Sequence, residues 1–171
     1  MRALPVLLLV ALAGGCQSEL GTLDPDDRPA FESGKNAVEL LPYGVRLARV
    51  AGVLGVTTDD PALAEMRERH LELGDHDFAS GVRPNLTWTS SRMSSWVAAL
   101  MPVCQSEAMR ALYPALPADA DDLMAAAYGR PATADDLAAI DEGLADVPLD
   151  DEERYMATCL AILSSAEFVA K

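Results

Sequence analysis

Two histidines sit six residues apart in "RHLELGDHDF", with Glu72, Asp75 and Asp77 among them. Imidazole and carboxylate are the ligand types of zinc and related divalent ions. Against the metal reading, His70 falls on the apolar stripe of the helix expected there, which predicts a packed core histidine. No metal ligand set is therefore assigned. Nucleophilic catalysis has less support. The serines of "TWTSSRMSSW" have no GxSxG or SxxK frame, so Ser90, Ser91, Ser94 and Ser95 are expected to cap a helix and line its polar side. The acidic runs "DADD" and "LDDEE" stand where helices are expected to start, where negative side chains favour the helix dipole, and neither has the spacing of an EF-hand loop. There is no phosphate loop. No catalytic residue and no cofactor is assigned.

The three cysteines are Cys16, Cys104 and Cys159. No CxxC or CxxCH motif is present, which argues against a thiol redox site and covalent haem. In an exported chain Cys104 and Cys159 are expected to pair, with two separate buried thiols as the alternative. The formal charge of −14 excludes a nucleic-acid partner on electrostatic grounds, since a polyanion repels an acidic domain.

Export itself is argued from "LLLVALAGGCQSE". An apolar run of ten residues, Leu4 to Ala13, follows Arg2 and ends in Gly14, Gly15 and Cys16. That is a signal-peptide core, well short of the roughly twenty residues of a membrane span. The segment resembles the lipobox of bacterial lipoproteins. The resemblance implies cleavage before Cys16, a leader at 1–15, lipid on Cys16 and attachment to a membrane through the acyl chains. Gln17 in the next position implies the outer membrane, facing the periplasm. Residues 16–36 are polar, rich in Gly, Pro, Asp and Ser, and are expected to form a tether with a reach of about 25 Å.

Residues 37–171 are expected to form one all-α domain, a compact irregular bundle of five to seven helices. The first carries Tyr43, Leu47, Val50, Ala51 and Leu54 on its buried face, with Arg46 and Arg49 off that stripe. A second runs from Asp60 to Gly74 with Leu63, Met66, His70 and Leu73 inward. A third has a stripe of Met93, Trp96, Val97, Leu100, Met101 and Cys104, with Pro102 ending or kinking it. Shorter helices are expected at 107–113 and 119–128. Thr133 opens another with Leu137, Ile140 and Leu144 on one face, and Asp150 caps a last helix apolar round most of its circumference, hence central.

From Leu123 to Phe168 the outline "GRPAT…LSSAEF" resembles the helical C-terminal segments of planctomycete cytochrome-c-associated proteins, whose domains have no assigned function. That resemblance supplies no catalytic residue.

The irregular stretch from Gly74 to Thr89 is long for a compact helical domain, and such loops are often functional. Phe78, Arg83 and Trp88 are its candidate binding residues, because aromatic and arginine side chains anchor contact surfaces. The competing expectation is that Phe78 and Trp88 tuck into the core and hold the loop down. Together these readings predict a non-enzymatic accessory or binding lipoprotein of the cell envelope, with an envelope protein as partner. The alternative is a small periplasmic enzyme with a site near the 74–89 loop.

Overall fold

A computed structural model describes residues 39–170. Cys16, the leader at 1–15 and the tether at 16–36 lie outside the described residues. The order is α1 (Tyr43–Leu54), α2 (Ala64–Glu68), α3 (Ser90–Gln105), α4 (Glu107–Leu112), α5 (Ala120–Tyr128), α6 (Ala134–Ala145), α7 (Asp151–Ser164) and α8 (Ala166–Val169), with 3-10 turns at Pro61–Leu63 and Phe78–Ser80. Among the described residues the only β-type pairings are isolated bridges, and no helix is long and apolar enough to cross a membrane. The all-α expectation holds. Eight helices stand where five to seven were expected, because Ser165 caps a separate α8 where the last helix was expected to run on.

The centre of the domain is α7 against α3. Tyr155, Thr158, Cys159, Ile162 and Leu163 of α7 are buried, as are Trp96, Ala99, Leu100, Val103 and Cys104 of α3. The Trp96 indole N–H donates to the Leu163 carbonyl at 3.0 Å. Cys104 and Cys159 form a disulfide between the two helices, with Cα atoms 5.9 Å apart. The face of α3 is therefore rotated from the expected one: Met93 and Met101 are exposed, and the smaller Ala99 and Val103 take the inner positions where α7 approaches. Pro102 neither ends nor divides α3. The carbonyl it leaves unpaired belongs to Ala98, an exposed residue that water can reach.

Helix starts follow the sequence closely. Thr133 with Asp136, and Asp150 with Glu153, form reciprocal capping boxes at α6 and α7. Asp60 accepts from the Ala62 N–H and Pro61 occupies the first position of its turn. Gly129 closes α5 at φ 70°.

The residues of "GRPAT…EF" build a joint. Arg130 reaches Asp136 of α6 at 2.7 Å and Glu167 of α8 at 2.7 Å, so one guanidinium ties the end of α5 to two later helices. Phe168 is buried under the Arg49 guanidinium, whose nitrogens donate to the carbonyls of Phe168 and Ala127. These residues thus have a structural role in this chain.

One expectation is corrected here, and one helix packs more shallowly than the others. Arg46 is fully buried. It lies three residues after Tyr43 and four before Val50, squarely in the stripe from which its charge had excluded it. And no residue of α6 is buried: Leu137 remains 36% exposed, while Ile140 and Leu144 are half-buried. The helix rests against the side of α7 instead of entering the core.

Candidate functional site

The stretch from Gly74 to Thr89 is a nested turn held at three levels. At its base the Asn85 N–H donates to the Gly74 carbonyl at 3.0 Å. Gly74 has φ 90°, and a Cβ there would meet the Asn85 carbonyl oxygen at 2.3 Å, so both the conformation and the close approach require glycine. Higher up, Asp77 and Val82 exchange two backbone hydrogen bonds. At the tip, the Asp77 carboxylate accepts from the N–H groups of Ala79 and Ser80 and caps the 3-10 turn. The Ser80 side chain first, and then the Ser80 and Ala79 N–H groups, hold the Asp77 carboxyl below its usual range. Arg92 of α3 clamps the base, donating to the Glu72 carbonyl, the Asn85 side chain and the Thr87 carbonyl.

This frame separates the three candidate residues. Trp88, next to the Arg92 clamp, is half-buried against the core. Phe78, on the capped tip, is 69% exposed, with its ring centroid 4.2 Å from that of His76. Arg83 is exposed, and no described residue pairs with its guanidinium. That sets Arg83 apart. Seven of the nine described arginines bind protein carbonyls or carboxylates, and only Arg83 and Arg154 do not.

Beneath the turn lies a cleft of about 470 Å³, lined by Pro42, Tyr43, Val45, Asp75, His76 and Pro84 among others. Asp75 stands between the two histidines. One of its oxygens is 3.1 Å from His70 Nδ1, the other 2.9 Å from His76 Nδ1. A carboxylate oxygen accepts, so His70 Nδ1 is the donor in its hydrogen bond with Asp75, while His76 Nδ1 lies within ion-pair distance of the other oxygen. His70 is corrected accordingly: its side chain is 38% exposed, not packed in the core. The cause is that α2 ends at Glu68, and the following turns take His70 off the expected stripe. No serine or cysteine lines the cleft to act as nucleophile. The two histidines use opposite oxygens of Asp75, and among the described residues no group of three or more His, Cys, Asp or Glu is placed to hold a metal.

Arg46 is the residue that sequence reasoning missed. It lies over the Trp96 ring at 4.9 Å and donates to the carbonyls of Leu41 and Leu73. It thereby fixes the chain entering α1 and the turn that leads to Gly74. Burial, and secondarily Arg92, push its guanidinium down to about 10. The available signal was its register in the stripe.

Tyr43 ties α1 to α2 through its hydroxyl, which donates to the Met66 carbonyl at 2.9 Å. Burial, then the Asp75 carboxylate, push this hydroxyl up to about 12. An unfolded tyrosine ionises near about 10. Its native, neutral form therefore contributes fully below that pH, and the contribution is lost as pH rises toward 12. Tyr43→Phe should lower stability by about 1 kcal/mol at neutral pH. In denaturant titrations the gap from wild type should narrow across that alkaline window; a constant gap would contradict the assignment.

No protein-family model, curated protein or solved structure matches this chain.

Proposed function

We propose that this chain is a lipid-anchored protein of the bacterial cell envelope that acts by contact, through the turn at 74–89, on an envelope protein partner. The observation that carries the reading is Phe78. A phenylalanine 69% exposed at the tip of a hydrogen-bonded turn that also carries the exposed Arg83 is an anchor without a partner among the described residues. Exposed Val82, bonded through its backbone to Asp77 beside Phe78, adds apolar surface on the same turn. The frame beneath is ordered by Gly74, Asp77 and Arg92, so little ordering entropy opposes binding. The anchor is supported by the sequence around Cys16, and the outer membrane by Gln17.

One set of strains tests both halves. Labelled palmitate should enter wild type and not Cys16→Ser; equal labelling removes the anchor. Phe78→Ala and Arg83→Ala should each weaken recovery of the envelope partner about tenfold or more while leaving the melting curve in place. Full recovery by both variants removes the contact surface.

A second reading is favoured by one observation, the Asp75 carboxylate held between His70 and His76 at the cleft. An imidazole oriented in this way is a general base in search of a substrate. If His76→Ala abolished a measurable turnover with the fold intact, the enzyme reading would replace the contact reading.

A further inference from the structure

A second trough lies between the start of α5 and the outer side of α6, sharing no lining residue with the cleft at Asp75. It encloses about 450 Å³, with Pro117, Ala118, Leu137 and Ile140 as apolar walls and Asp121 and Asp141 at its rim. The helix that forms one wall has no buried residue. No lysine or arginine lines the trough, and neither rim carboxylate has a partner among the described residues. Asp122 and Glu142, both exposed, add to the same field.

We infer that this trough docks a cationic amphipathic helix from a protein partner. The apolar walls call for aliphatic side chains, and the unpaired carboxylates call for lysine or arginine on the flanks of the same segment. Charge excludes the nearer occupants. Residues 17–36 of this chain carry five acidic and two basic residues, and a second copy brings another −14. Both are repelled by the rim, as is a phosphate-bearing surface. The inference does not rest on the contact surface at Phe78, and either stands if the other fails.

The test uses the full chain in discs of zwitterionic lipid, with the signal from empty discs subtracted. The probe is a synthetic Leu–Lys peptide patterned as an amphipathic helix, compared with its Leu–Glu counterpart. The Leu–Lys peptide should bind, less tightly as salt rises, and the Leu–Glu peptide should not. Asp121→Lys/Asp141→Lys should weaken binding about tenfold or more. Asp141→Lys alone, in mid-helix, should give part of that loss, and Leu137→Asn should weaken binding without any change of charge. Asp59→Lys/Glu68→Lys, the same charge change at exposed sites on another segment, should leave affinity within about twofold. Equal loss in that control would reduce the effect to general attraction and overturn the site. So would equal binding of the Leu–Glu peptide, unchanged binding by Leu137→Asn, or a dimer in sedimentation that Leu137→Asn disperses.

Discussion

Cys104→Ser/Cys159→Ser should unfold about 4 kcal/mol more easily than the wild type, the entropic value for a bridge closing a loop of 55 residues. The bridge joins the two central helices, α3 and α7, whose facing residues Trp96, Leu100, Ile162 and Leu163 are all buried. The loop it closes contains α4, α5 and α6, so the reduced chain must order that whole segment without the constraint. Denaturant titration of wild type and the double variant measures the difference. Protein denatured without reductant should show no free thiol at either position. Two titratable thiols, or an unchanged midpoint in the variant, would contradict the bridge's role.

Arg46→Ala should be comparably severe, at about 3–5 kcal/mol. It strands the Leu41 and Leu73 carbonyls without their donor and removes the cation over Trp96. The same change loosens the chain at Gly74, so the cleft at Asp75 should suffer with the fold. Arg46→Met keeps the aliphatic stem and removes a charge that burial disfavours, so it should recover part of the loss. Arg46→Lys has one ammonium for two carbonyls and should not restore the wild type. If Arg46→Ala unfolded at the wild-type midpoint, the guanidinium would have no structural role.

Much of the frame was legible because it is written in local chemistry. Capping residues at Thr133 and Asp150, and the stop at Gly129, act within a few residues and are set by backbone sterics and orphan N–H groups. The disulfide followed from cysteine parity. What was not legible depends on contacts distant in sequence. Arg46 has the right spacing for the core, but its charge placed it outside until two distant carbonyls were seen to receive it. The expected helix from 60 to 74 stops at Glu68, and the Leu73 carbonyl turns to that same guanidinium. Phe78 and Trp88 have similar composition around them. Their separation follows from Asp77 capping the tip and Arg92 clamping the base, and neither bond follows from periodicity. The pairing of His70 and His76 through Asp75 has the same origin, since it arises where the helical register has already ended.

The contact reading is tested most directly by a photo-crosslinking residue placed at Phe78 in living cells, with Ala111 on α4 as the comparison site. Both positions are exposed, so both report freely on neighbours. Light should join position 78 to one envelope protein and yield no such product from position 111, and Arg83→Ala should reduce the product while the protein stays folded. Identical products from both positions, or none from position 78 at native expression, would contradict a contact surface at this turn.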